Sequence, residues 1–159
     1  MARVDVEIIF KKMFDHFKAN LNTEIVALNT EKADSLTLEQ IDSAAWIEGS
    51  LNETVKNFNT FVLYYVENYD GTMQGNSISK NISIEFDILI SQKEDFLDYT
   101  RLLRYHRVLE DVAKKAWDNV GKGFDRATIS LLTPIDVKLF DSAYWHKVVG
   151  VRIEFNLVN

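Results

Sequence analysis

The sequence predicts an α+β fold: a mostly antiparallel sheet of two hairpins, with a long N-terminal helix and a second helix packed on one face. Three observations predict it. Apolar residues recur every three or four positions over residues 3–33 and again over 94–120. They alternate with polar residues over 81–91 and 149–157, the pattern of strands with two different faces. Turn-forming residues separate the alternating stretches, so strands follow one another in pairs.

In the first helix, Val6, Ile9, Phe10, Met13, Phe17, Leu21, Ile25 and Leu28 form one stripe, with Lys11, Lys12, Asp15 and Lys18 on the other side. Asn20, Asn22 and Thr23 weaken its middle and mark a possible break. Thr37 and Gln40 have capping-box spacing, which predicts a short helix from Leu38. Residues 44–57 give no clear pattern, and Gly49-Ser50 punctuate them.

From Asn59 the texture turns aromatic and β-branched, and FVLYYVENY reads as a strand. Phe61, Leu63 and Tyr65 occupy one face and Val62, Tyr64 and Val66 the other, so both faces are apolar. A face left uncovered by the helices then needs a partner. DGTMQGNS reads as an extended polar loop, since Asp70-Gly71 and Gly75-Asn76 both suit positive φ. In NISIEFDILIS, Ile82, Ile84, Phe86, Ile88 and Ile90 oppose Ser83, Glu85, Asp87 and Leu89.

The second helix, 94–120, gathers Leu102, Leu109, Val112, Ala113, Ala116 and Val120 on one arc, and Gly121 is a natural stop. TISLLTPIDVKLF is a strand interrupted near Pro134, the single proline. A proline cannot donate to a ladder, so this strand belongs at an edge or bulges there. Asp141-Ser142 mark a turn. The closing strand sets Val149, Val151, Ile153, Phe155 and Leu157 against Arg152, Glu154 and Asn156.

The whole, residues 1–159, reads as a single domain, long enough to bury a core. An apolar fraction of 47% and a charged fraction of 26% are ordinary for a globular chain. A net charge of -6 argues against a protein whose main task is gripping nucleic acid. No cysteine is present, which excludes disulfides and thiolate metal sites. The N-terminus lacks a signal-peptide core, and the longest apolar run, FVLYYV, is far short of a membrane span. The expectation is synthesis and folding in a cytoplasm. Asn52 and Asn81 head Asn-x-Ser/Thr sites that mean little without secretion.

No catalytic, cofactor or metal motif emerges. His16, His106 and His146 lack a second histidine at metal spacing and read as structural. GKG at 121–123 follows a helix instead of opening one, so it reads as a cap and not a phosphate loop. Glu85 and Asp87 share a strand face as a carboxylate pair would, yet without a partner acid they read as a solvated face. Arg101, Arg104, Arg107, Lys114 and Lys115 form a basic stripe interrupted by Asp111 and Asp118, which reads as solvated and internally paired.

The order of elements, the size and the closing stretch SAYWHKVVGVRIEFNLV resemble the tail terminator (tail-completion, head-tail joining) family of tailed bacteriophages, over nearly the whole chain. The resemblance implies a non-enzymatic virion protein of the tail or neck. It implies a hexameric ring at the head-proximal end of the tail tube, which ends tube polymerisation and offers a surface to the head connector. Partners would be further copies of the chain, the tail tube protein and connector proteins, with no membrane, no cofactor, and DNA only passing through the lumen. Tyr69, Asp70, Gly71, Thr72, Met73, Gln74, Gly75 and Asn76 would then form the assembly loop, and the terminal strand would complete the sheet. Other readings are another neck or tail ring component (head closure or tube initiator), a small acidic immunity-type protein that blocks a basic toxin, and an α+β enzyme with a deep pocket and a shifted carboxylate near His106.

Overall fold

A computed structural model describes residues 5–50, 57–91, 99–120, 126–138 and 145–158. Outside these fall the expected start of the second helix at 94–98, its Gly121 stop, the GKG stretch, the Asp141-Ser142 turn and Asn52. The elements are α1 (Val6–Lys32), β1 (Trp46–Glu48), β2 (Thr60–Gln74), β3 (Ser77–Ser91), α2 (Tyr99–Val120), β4 (Arg126–Lys138) and β5 (Trp145–Val158). One five-stranded sheet has the order β1-β2-β3-β5-β4, antiparallel except for the β1–β2 pair. The predicted α+β class and its long N-terminal helix are what the structure has.

Helix α1 begins at Asp5, whose side chain accepts from the Glu7 amide at 3.0 Å. It ends at Ala33, left-handed at φ 48°, whose N–H closes on Asn29 O. Ile9, Met13, Phe17, Leu21, Ile25 and Leu28 are buried, as their spacing requires. No break occurs at the asparagines, because their side chains bond elsewhere. Asn22 donates to Ile41 O at 2.8 Å and accepts from Ile41 N at 2.7 Å. Asn29 treats Leu38 the same way, at 3.0 and 2.8 Å. These two amide clamps, two helical turns apart, strap the segment after α1 along the helix.

The clamps also explain why the short helix expected from Leu38 does not form. The Leu38 and Ile41 amides and carbonyls already have partners, and both side chains enter the core. Beyond them Trp46–Glu48 forms β1, a parallel edge strand that no sequence pattern announced.

Helix α2 buries Leu102, Tyr105, Val108, Leu109, Val112, Ala113 and Ala116. Glu31 meets Arg107 and Glu24 meets Lys115, so the two helices run antiparallel. Lys114 pairs with Glu110 at 2.7 Å, the internal pairing expected of the basic stripe. Arg104 departs from that expectation: it is buried, donates to Leu36 O at 2.6 Å and pairs with Asp34. That guanidinium holds the Asp34 carboxyl down to about 2. His16 is structural: Asn20 donates to its Nδ1, which leaves Nε2–H to donate to Val112 O of α2 at 2.8 Å.

Both helices lie on one side of the sheet. Phe17 stacks on Phe86 at 3.8 Å and Phe14 on Tyr64 at 4.4 Å, while Tyr105 donates to Glu39 O, beside Thr60. Following the rungs, this helix side carries Val62, Tyr64 and Val66, Ile84, Phe86 and Ile88, Val149, Val151 and Ile153, and Ile129 and Leu131. Strand β4 is an edge, with a register shift between Leu132 and Ile135 around Pro134, as the missing N–H dictates.

Candidate functional site

The eight residues expected to form an assembly loop are mostly strand. Strands β2 and β3 stay paired to the last rung, Gln74 opposite Ser77, and only Gly75 and Asn76 turn. Gly75 has φ 59°, whereas Asn76 is not in the left-handed region. Positive φ at the first central position alone is the type II′ pattern, which matches strand twist and keeps the ribbon paired. Gly71 needs no positive φ. It sits in the ladder opposite Lys80, where a Cβ would come within 3.3 Å of Ser79 O. Asp70 accepts from Asn81 Nδ2 at 3.0 Å and from Asn68 Nδ2 at 3.3 Å, so it braces the rung it shares with Asn81. Thr72 faces Ser79, and Met73 faces Ile78.

The result is a hairpin whose last two rungs, Met73–Ile78 and Gln74–Ser77, form a two-stranded ribbon past the sheet. Pairing of β3 with β5 ends at Ser79–Val158, and β1 supports β2 only as far as Tyr64. Tyr69 is 54% exposed and Met73 72% exposed, and Val66 is exposed as well. The rungs Tyr69–Ile82 and Val66–Ile84 place these residues on the helix side. The sequence predicted an uncovered apolar face on the other side of β2. There Phe61 is fully buried and Leu63 and Tyr65 are half-buried. The exposed apolar residues appear instead where β2 runs on past the aromatic contacts that α1 makes at Tyr64.

A second feature lies on the side away from the helices. Glu85 and Asp87, expected to be solvated, are each only 6% exposed. They sit on the central part of β3, flanked by Tyr65 of β2 and by Gly150 and Arg152 of β5. Tyr65 donates to Asp87 Oδ2 at 3.2 Å. Arg152 reaches Glu85 Oε2 at 3.2 Å and Glu67 Oε1 at 3.6 Å. Glu67 is the extra residue of a bulge between Val66 and Asn68. Gly150 leaves the room that Asp87 fills: a Cβ there would overlap Asp87 Oδ1.

Burial, and after it the charge of Glu85, raise the Asp87 carboxyl to about 8. Two buried carboxyls this close cannot both ionise cheaply. Asp87 therefore keeps its proton well above the usual carboxylate range, while Arg152 pairs with Glu85. The signal missed in the sequence was Gly150, whose missing side chain lets Asp87 sink between its neighbours. The enzyme reading calls for a deep pocket with a shifted carboxylate near His106. The shifted carboxylate exists, but the sheet separates the two: His106 comes from α2 on the helix side and meets the Leu132 and Gly150 backbone. Among the described residues no group of His, Asp and Glu side chains is arranged to hold a metal, and no helix is long and apolar enough to cross a membrane. Comparison with protein-family models and with curated proteins finds no match.

Proposed function

We propose that the protein is a structural component of a tailed bacteriophage. It forms a ring, six copies by the resemblance, at the head-proximal end of the tail, ends polymerisation of the tail tube and joins the tail to the head connector. The observation that carries this reading is the β2–β3 hairpin, whose last two rungs stand beyond the sheet, with Tyr69 and Met73 exposed along one side of it. A two-stranded ribbon is marginal by itself in water, and an exposed apolar side on it is a surface for a neighbour. Work of this kind is binding energy spread over repeated contacts and needs no catalytic group. DNA passes the ring without specific binding, in keeping with a net charge of -6.

The test shortens the ribbon without disturbing its register. Deleting Met73, Gln74, Ser77 and Ile78 joins the Thr72–Ser79 rung directly to the Gly75-Asn76 turn. Co-expressed with the tail tube protein of the same particle, the full chain is expected to cap tubes at a finite length, seen as a ring at one tube end in electron micrographs. The shortened chain is expected to fold and to leave the tubes running on. A full chain that never binds tube ends sinks the reading.

A further inference from the structure

We propose that the repeated contact of this ring is strand addition: the free edge of β2, with its ribbon, pairs with the free edge of β4 on the next copy. The proposal rests on the ring reading for its setting but on separate observations for its content. On its outer side β2 is paired by β1 through Tyr64, where Gly49 N bonds Tyr64 O at 2.9 Å. From Tyr65 to Gln74 no described residue pairs with that side. The outer side of β4 is likewise unpaired among the described residues.

Each edge has a stretch without the usual protection. Proteins blunt a free edge with lysines, inward charges or early bulges. The stretch Thr128–Leu132 of β4 is five residues without a charge, and its register shift comes only after it. On β2 the stretch Tyr69–Gln74 carries one charge, Asp70, which is already engaged by Asn68 and Asn81. Each edge also exposes apolar side chains, and on the same side of the sheet: Val66, Tyr69 and Met73 on β2, Ile129 and Leu131 on β4.

Strand direction selects a second copy as the occupant. Three antiparallel pairings in succession make β4 run opposite to β2. Two copies standing the same way up, as in any cyclic ring, therefore bring β4 against β2 antiparallel, with their helix layers on one side and their apolar stripes meeting. The two surfaces differ, so the contact is heterologous, and a heterologous contact closes into a ring or runs on as a filament. Because β1 occupies the lower part of the β2 edge, the incoming β4 sits displaced along the strands. Closing a sheet on itself requires tilted strands and a stagger between them.

The experiment uses two full-length variants, each altered only at exposed positions. One carries Tyr69→Glu and Met73→Glu, the other Ile129→Glu and Leu131→Glu. Native mass spectrometry across the accessible concentration range is expected to show rings for the wild type and monomers for each variant alone. Thermal melts close to wild type establish that both are folded. Mixed one to one, the variants are expected to form a heterodimer and nothing larger, since each retains one intact surface. A wild type that stays monomeric, a variant that still forms rings, or a mixture that stays monomeric each overturns the contact. Rings built on this contact that never bind a tube end leave the contact standing and remove the phage reading. Tube-capping protein whose variants both still assemble removes the contact alone.

Discussion

The phenol of Tyr65 donates to Asp87 Oδ2 at 3.2 Å, diagonally across the β2–β3 ladder and on the side of the sheet away from the helices. One hydroxyl and one proton thus satisfy a carboxyl whose ionisation burial, and after it Glu85, push up in pH. This arrangement gives the protein a pH dependence with a definite sign.

The Asp87 carboxyl titrates near 8 in the folded chain and near the ordinary aspartate value of 3.8 when unfolded. Between those values the folded state holds the extra proton, so stability is greatest at the acid end of the window and falls as pH rises toward 8. Asp87→Asn keeps the hydrogen bonds and removes the charge. Urea unfolding at several pH values is expected to show a declining midpoint for the wild type and a flatter profile for the variant. At the alkaline end the variant should be more stable by on the order of 2 kcal/mol. A wild-type midpoint that rises between pH 5 and 8 contradicts the assignment.

Gly150→Ala is expected to destabilise by about 1–3 kcal/mol, the range of overpacking, because the new methyl overlaps Asp87 Oδ1 and comes within 3.2 Å of Leu132 Cδ1. Combining it with Asp87→Ala should recover part of the loss, since the second change vacates the space. Thermal denaturation of the single and double variants reads this directly.

Asn22→Ala and Asn29→Ala each remove two hydrogen bonds and leave the Ile41 or Leu38 amide without its partner. Each is expected to cost about 1–3 kcal/mol. Hydrogen exchange should quicken at the Ile41 amide in the first and the Leu38 amide in the second, with the α2 amides little changed. Uniform acceleration over the whole chain would mean that the clamps do not act locally.

Phe17 is fully buried and stacks on Phe86 at 3.8 Å, joining α1 to the central strand. Phe17→Ala is expected to cost about 3–5 kcal/mol, the most of the substitutions considered. Phe17→Leu should restore much of it. Chemical denaturation gives both numbers, and a loss below that of Gly150→Ala would place the packing centre elsewhere.

Much of the fold was legible in the sequence. The three-and-four spacing from Val6 to Leu28 found α1 and its buried stripe, and the alternation from Ile82 to Ile90 found β3 and its faces. Pro134 correctly marked β4 as an edge with a local irregularity. The Thr37–Gln40 spacing misled, because a capping box is a local preference and the Leu38 amide found a stronger partner in Asn29, nine residues back. The loop expected at Tyr69–Asn76 was misread because Asp70-Gly71 has turn chemistry that the rungs to Lys80 and Asn81 override.

The sequence by itself determined which residues could share a helix face or a strand face, because side-chain periodicity is a property of the backbone and needs no distant partner. Only the tertiary structure decided which of those faces are covered. Glu85 and Asp87 look solvent-facing on β3 and are buried because Tyr65, Gly150 and Arg152 arrive beside them from other strands. Tyr69 and Met73 look like loop residues and stand exposed on paired strands because β1 and the aromatic contacts of α1 reach only to Tyr64, and β5 stops short of Met73. Burial is set by neighbours far away in the chain, and no local pattern records where those neighbours end.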